Sequence, residues 1–149
     1  MSTNHIVKHI ELNAHVARVW RALTDYKEFA EWFCLILDTP FAPGKKVDAI
    51  LNYPGMERLK WQITIDKIEP ETLFSFYWHP HAINPEMDYS KEEKTLVEFR
   101  LEKISGGTSL TVTESGFDSL PASRRDEAFR MNSEGWKEQL ENIKKYVTH

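Results

Sequence analysis

A long amphipathic segment near the C-terminal end is the feature that most restricts the fold of this chain. Its apolar side chains recur at helical spacing opposite charged residues, and they are Phe129, Trp136, Leu140, Ile143 and Val147. The pattern predicts a helix over about residues 121–146, with Ser119 as its N-cap. Such a helix would be roughly 39 Å long at ~1.5 Å per residue, which is enough to cross an entire sheet.

Alternating apolar residues before that helix predict antiparallel strands. The alternation occurs in residues 6–12, 47–53, 59–65, 73–78, 95–101 and 110–114. Turns are expected at Pro54-Gly55, at 69–72 and at Gly106-Gly107. The polar segment 79–94 lacks any such period and predicts a loop.

Two short helices are predicted between the first strand and the second. Asn13 is expected to cap the first, and Thr24 or Asp25 begins the second. Their apolar residues are Val16, Val19, Trp20 and Leu23 in the first helix, and Tyr26, Phe29, Ala30, Trp32 and Phe33 in the second. The order of elements predicts one α+β domain over residues 1–149, with a sheet that folds around the terminal helix.

Composition and charge restrict the compartment and the class of partner. The net charge of −4 provides no basic surface for phosphates, so nucleic acid is not expected as a partner. Cys34 is the single cysteine, which excludes an intrachain disulfide and fits a reducing compartment. Since neither a secretory signal nor an apolar run of roughly 20 residues is evident, we expect a cytoplasmic protein without membrane insertion.

Short motifs spread along nearly the whole chain resemble one known family. In order, they are the segment 19–25, Trp32, Phe41 with Gly44, Trp61, Ile68-Glu69-Pro70, Trp78, Gly107-Thr108 with Leu110, the segment 114–117, and Gly135-Trp136 with Leu140. This series is similar to the activator of heat shock protein 90 ATPase homologue family, within the START-like (SRPBCC, Bet v 1-like) superfamily. The resemblance implies a helix-grip fold, with a curved antiparallel sheet around a long C-terminal helix.

The resemblance also implies a cavity between the sheet and that helix. Such a space would hold a small hydrophobic or amphipathic molecule, without any cofactor. Its expected lining is Trp61, Ile63, Phe76, Trp78, Val97, Phe99, Val112 and Glu114 from the sheet, and Phe129, Asn132, Ser133, Trp136 and Leu140 from the helix. The alternative is that these side chains fill the space as an ordinary core.

Glu114 is the weak catalytic candidate, because it shares the inward face of its strand with Leu110 and Val112. It would contact the polar end of a ligand or act as a general acid or base. The alternative, which we favour for a strand end, is a solvated carboxylate that caps a loop or pairs with an arginine such as Arg130.

Other chemistry is scarce in the sequence. His79 and His81, with Glu86 and Asp88, have no matching ligand spacing elsewhere, so we expect a solvated loop rather than a metal site. Cys34 is interpreted as a small buried hydrophobe rather than a nucleophile.

Three classes of function follow. The leading one is a ligand-binding module for a small hydrophobic molecule, such as a sensor, a carrier or a stress-related protein. The second is a small-molecule enzyme, such as a cyclase, dehydratase or hydrolase, that uses Glu114 or a loop histidine. The third is a chaperone-interacting module, but the eukaryotic co-chaperones carry a further domain, so a chaperone partner is not expected. A homodimer stays open, with Trp32 as a candidate contact.

Overall fold

The computed structural model describes residues 4–52, 59–84 and 86–148. The strands are β1 His5–Leu12, β2 Leu35–Leu37, β3 Lys46–Leu51, β4 Lys60–Glu69, β5 Leu73–Trp78, β6 Thr95–Ile104 and β7 Gly107–Ser115. The helices are α1 Val16–Thr24, α2 Tyr26–Phe33 and α3 Ala122–Val147, and a 3-10 turn at Phe117–Ser119 precedes α3.

The strands form one antiparallel sheet in the order β1-β7-β6-β5-β4-β3-β2. Alternate side chains of β3, β6 and β7 face inward and are buried, as their period-two pattern predicts. In β5 every side chain except that of Tyr77 is buried. Helix α3 lies on this inner face, where Trp136 packs 5.7 Å from the ring of Trp78 and 5.6 Å from that of Phe99. The predicted fold, with a curved antiparallel sheet, two short helices and a long terminal helix, is confirmed.

The junction of α1 and α2 follows the sequence closely. Asp25 ends α1 and caps α2, since its carboxylate accepts from the backbone nitrogens of Lys27 and Glu28. Trp32 is only 4% exposed, and its Nε1 donates to the carbonyl oxygen of Ala22 at 2.8 Å. A buried side chain offers no surface to a second copy, so the suggested role of Trp32 in a dimer is wrong.

Two predicted helix caps are wrong. The N-cap of α1 is His15 rather than Asn13, because Thr108 donates to the carbonyl of Ala14 and ties this connection to β7. The N-cap of α3 is Pro121. Ser119 instead lies in the 3-10 turn that separates β7 from α3.

The turns before β5 and β7 lie close to where they are predicted. The chain turns at residues 69–72, as expected. The last hairpin is shifted by one residue, because Ser105-Gly106 forms the loop and Gly107 begins β7 opposite Ile104. A Cβ on Gly107 would lie 2.0 Å from the carbonyl oxygen of Leu12, so only glycine fits there. The expected turn at Pro54-Gly55 lies outside the described residues.

Among the described residues, no helix combines the length and the hydropathy that a membrane span requires.

Candidate functional site

Glu114 is a completely buried carboxylate near the end of β7, beneath α3. The indole Nε1 atoms of Trp78 and Trp136 each donate a hydrogen bond to it at 2.8 Å. The Thr95 hydroxyl donates at 2.5 Å, and the Asn132 amide donates to both oxygens at 3.0 and 3.2 Å. We call these five residues the Glu114 cluster.

Register and helical spacing bring the Glu114 cluster together. Trp78 and Thr95 lie opposite each other in β5 and β6, and Glu114 pairs with Val97, two residues along the same face from Thr95. Asn132 and Trp136 are four residues apart, on the one face of α3 that covers these strand ends. The expectation of a solvated Glu114 or a pair with Arg130 is therefore wrong. β7 lies between β1 and β6 at this point, and α3 covers it.

The hydrogen bonds occupy both oxygens of Glu114. Oε1 accepts from Asn132 and Trp136, and Oε2 accepts from Trp78, Thr95 and Asn132. A carboxylate offers about four lone-pair positions, so these donors fill them. All of the donors are uncharged, and a buried carboxylate held by hydrogen bonds alone depends on every one of them.

A pocket of about 200 Å³ lies beside the Glu114 cluster, where α3 meets the sheet. We call it the tryptophan pocket, and it is lined by Phe33, Trp61, Trp78, Asn132, Gly135, Trp136, Glu138 and Gln139. The structure thus brings four predicted residues together here: Trp61, Trp78, Asn132 and Trp136. The indole ring of Trp78 contacts those of the other two tryptophans, with ring centroids 5.4 Å from Trp61 and 5.7 Å from Trp136.

The other predicted residues lie outside the lining of this pocket. The fully buried core next to it contains Ile63, Phe76, Val97, Phe99 and Val112, and Leu140 is also buried. Phe129 packs against Phe117 at 5.3 Å between ring centroids, and Ser133 is half-buried. Contact of these residues with a ligand stays a prediction.

Gly135 is the lining residue that packing explains least. It lies in the middle of α3, where glycine costs about 1 kcal/mol of helix stability relative to alanine. A Cβ at this position would meet nothing within 4 Å, so no neighbouring atom requires the missing side chain. The glycine leaves the wall of the tryptophan pocket open.

Sequence reasoning missed Phe33, Gly135, Glu138 and Gln139 as lining residues. A glycine inside an otherwise continuous helical pattern was the available signal for Gly135. The sequence marks Phe33 only as an apolar residue of α2, and no pattern indicates that the end of α2 meets the middle of α3.

A second pocket of about 330 Å³ lies under the loop 79–94 and shares Trp61 with the first. Arg124 of α3 holds this loop, because it donates to the Glu92 carboxylate at 2.7 Å and to the carbonyls of Pro80 and His81. Its guanidinium also lies 4.7 Å from the ring centroid of Tyr89. The Arg124 and Glu92 side chains are only 11% and 10% exposed, so this ion pair is largely desolvated.

The loop histidines contact other groups of the loop and of α3, since His79 lies against Glu92 and His81 against Glu127. Burial lowers the pKa of both His79 and His81, which favours their neutral form. His79 Nε2 contacts the carbonyl of Glu92 at 3.1 Å, and Asp88 accepts from the backbone nitrogen of Ser90. Within the described ranges, His, Cys, Asp and Glu side chains form no group that could hold a metal ion. Cys34 is half-buried and ends α2 in a left-handed conformation.

Solved structures of other proteins share this fold. Protein MLL2253 from Mesorhizobium loti has a TM-score of 0.74 and 22% identity, over 95% of this chain and 94% of that one. The Aha1 dimer from Colwellia psychrerythraea has a TM-score of 0.72 and 17% identity, over 96% and 95% of the two chains. DynU16, described as a putative protein in the dynemicin biosynthetic locus, has a TM-score of 0.74 and 21% identity. The match covers 97% of this chain, which spans about half of DynU16 (47%).

At these identities the likeness establishes the fold alone. A search of curated proteins found no match for the chain. The family model described as "Activator of Hsp90 ATPase homolog 1-like protein" matches residues 13–148, which is nearly the whole chain. The chain therefore belongs to the family of activator of Hsp90 ATPase homolog 1-like proteins.

Proposed function

We propose that this chain binds a small hydrophobic or amphipathic molecule, of the size of one substituted aromatic ring, in the tryptophan pocket. The observation that carries the proposal is Gly135. This glycine weakens the longest helix, serves no packing requirement, and leaves open a pocket whose other walls are aromatic. Sites for small molecules are typically concave and mainly apolar, with a few polar groups, as this one is.

The size of the pocket narrows the class of ligand. A volume of about 200 Å³ is smaller than the ~300–1,000 Å³ typical of sites for drug-sized molecules. The core beneath it is packed with aromatic side chains, since the rings of Phe76, Trp78 and Phe99 contact one another or Trp136. A single planar ring therefore suits the pocket better than a whole lipid.

The contacts of Glu114 support a positioning role in this function. A general base needs a lone pair that faces the substrate, and the Glu114 lone pairs are occupied by side chains of the pocket wall. Glu114 thereby fixes the orientation of Trp78, Asn132 and Trp136. This arrangement favours ligand binding over acid-base catalysis by Glu114.

Self-association is a second, separate proposal. The similar structure from Colwellia psychrerythraea is described as a dimer. In this chain the two edge strands expose apolar side chains, Val7 on β1 at 60% and Ile36 on β2 at 50%, and open edges can pair with another strand.

Sedimentation equilibrium of the wild type and of Ile36→Lys tests whether the chain forms a dimer through the β2 edge. A dimer that Ile36→Lys leaves intact would exclude the β2 edge.

A larger side chain at position 135, which would fill the pocket, tests the proposed binding. We propose to measure the melting temperature with and without propylbenzene for the wild type, Gly135→Leu and Lys137→Leu. The side chain introduced by Gly135→Leu would occupy the open space, whereas Lys137 is exposed and its replacement controls for the added leucine. A ligand at ten times its Kd stabilises a protein by about 1.4 kcal/mol.

We expect propylbenzene to raise the melting temperature of the wild type and of Lys137→Leu, and to leave Gly135→Leu unchanged. We also expect Gly135→Leu to be at least as stable as the wild type without ligand, because helix propensity improves. An equal response of all three proteins would place the binding elsewhere. No response of the wild type, together with no adduct in native mass spectrometry, would refute the proposal.

A further inference from the structure

We infer that the tryptophan pocket selects ligands whose polar end donates hydrogen bonds, above all protonated amines attached to an aromatic ring, and that it rejects carboxylates. This inference rests on the proposed function and names its ligand class. The preference follows from which polar groups of the pocket wall are left to donate or to accept a hydrogen bond from a ligand.

The three tryptophans of the wall have no free donor. The only polar atom of an indole is Nε1, which donates and does not accept. In Trp78 and Trp136 this atom donates to Glu114, and in Trp61 it donates to the carbonyl oxygen of Ala82 at 2.9 Å. The indoles therefore present ring surface to a ligand, and the face of an aromatic ring attracts a cation.

Asn132 presents an acceptor for the same reason. A carboxylate only accepts, so the amide must turn Nδ2 toward Glu114, as its two contacts show. Its Oδ1 receives no hydrogen bond from the residues that the structure describes, and it is not one of their buried unpaired atoms. Because Asn132 lines the pocket, this oxygen stays accessible to a donor on the ligand.

Glu138 adds negative charge at the rim. Among the described residues that line the tryptophan pocket, it is the only charged one. The Gln139 amide is engaged elsewhere, since its Oε1 accepts from Asn142 at 3.1 Å and its Nε2 lies 3.5 Å from the carbonyl of Phe33. Lys60 belongs to the neighbouring pocket.

The wall thus combines ring faces, an amide oxygen and a carboxylate. A protonated amine satisfies all three, whereas a carboxylate would face like charge and lone pairs without a donor. Glu114 lies behind the pocket wall and accepts the hydrogen bonds of Trp78, Asn132 and Trp136, so these donors are not available to a ligand. It acts as a positioning residue.

Three probes that share a phenylethyl group test the inference. They are 2-phenylethylamine in its protonated form, propylbenzene and 3-phenylpropionate, titrated by calorimetry at neutral pH and low salt. We expect the amine to bind about tenfold tighter than propylbenzene, and the carboxylate to bind more weakly than propylbenzene. Exchange of a methyl group for an ammonium group leaves the shape of the probe almost unchanged.

Charge reversal at the rim gives the matched control. In Glu138→Lys we expect the amine to lose its advantage over propylbenzene and the carboxylate to gain affinity relative to propylbenzene. In Glu141→Lys, which makes the same charge change at an exposed site outside the lining, the preference for the amine should persist.

The outcomes separate this inference from the proposed function. If propylbenzene binds but the amine binds no tighter than the carboxylate, the inference is overturned and the proposed function stands. The inference is likewise overturned if Glu138→Lys and Glu141→Lys change the preference equally, because the effect would then reflect net charge alone. If none of the probes binds, both fail.

Discussion

Two largely buried polar side chains lie along helix α3, Glu114 of β7 beneath it and Arg124 on it, and their hydrogen-bond partners differ in kind. The Glu114 carboxylate is surrounded by uncharged donors from β5, β6 and α3 itself. Arg124, near the start of α3, has the Glu92 carboxylate, two carbonyls and the Tyr89 ring, all from the loop 79–94. We call Arg124 and these loop groups the Arg124 cluster.

The Glu114 cluster and the Arg124 cluster also differ in the parts of the structure that they join. Glu114 joins three elements of the core and orients the wall of the tryptophan pocket, so its loss leaves several buried donors unpaired at once. Arg124 joins one loop to one helix at the surface of the fold. We therefore expect the Glu114 cluster to determine the stability of the whole domain and the Arg124 cluster to determine the order of the loop.

The largest effect is expected for Glu114→Gln. The new amide keeps the shape but turns two hydrogens toward groups that themselves donate, so buried donors lose their acceptor. We expect a loss of about 3 kcal/mol in the free energy of unfolding, measured by urea denaturation. Glu102→Gln, on the exposed face of β6, serves as the control and should be nearly neutral. A loss below about 1 kcal/mol for Glu114→Gln would show that the cluster does not depend on the carboxylate.

A smaller and more local effect is expected for Arg124→Met. Glu92 would lose its charged partner in a poorly solvated position, and we expect the free energy that opposes local opening of the loop to fall by about 2 kcal/mol. Hydrogen exchange should rise in the loop 79–94 and stay unchanged in β7. Arg130→Met removes the same charge from an exposed position of α3 and should do neither. Faster exchange throughout the core would contradict the local role of Arg124.

Acidification should act on the Arg124 cluster through its neighbouring histidines. Burial lowers the pKa of His79 and His81 in the folded state, so below about pH 6.5 the unfolded chain binds more protons. Stability should thus be complete above that pH and fall as the pH decreases further. Melting curves between pH 7.5 and 5.5 test this, and the double variant His79→Gln/His81→Gln should show a shallower decrease. An equally steep decrease in that variant would assign the effect to other groups.

The smallest effect is expected for Glu127→Gln. The Glu127 carboxylate lies 3.8 Å from His81 Nε2, but it is 63% exposed. Solvated pairs contribute little, so we expect a change within about 0.5 kcal/mol in urea denaturation. A larger loss would extend the Arg124 cluster along α3.

The sequence predicts the fold well because its signals are periodic. The two-residue alternation of residues 95–101 and the helical stripe of α3 each fix which face is buried, and together they bring Trp78, Asn132 and Trp136 to the same interior surface. The environment of Glu114 was not predictable in this way. Whether a strand end is solvated depends on which strand pairs beside it, and that strand, β1, is about a hundred residues away in the chain.

The Arg124 cluster illustrates a second limit. The loop 79–94 has no period. Arg124 of α3 contacts four of its residues, but the sequence context of Arg124 resembles that of any exposed arginine. Of the eight residues that line the tryptophan pocket, the sequence predicts four. Trp61 and Trp136 belong to apolar patterns, whereas Glu138 and Gln139 lie in the polar part of the helix, where no pattern marks them as lining residues.

Indole resonances in a ¹H–¹⁵N spectrum test the central claim, that the tryptophan pocket is a binding site, most directly. The chain contains five tryptophans, of which Trp61, Trp78 and Trp136 line the pocket, whereas Trp20 and Trp32 do not. Titration with propylbenzene should shift the Nε1–H signals of the first three, through the ring current of the probe, and leave the other two in place. Unchanged signals for all five, or shifts confined to Trp20 and Trp32, would contradict the account.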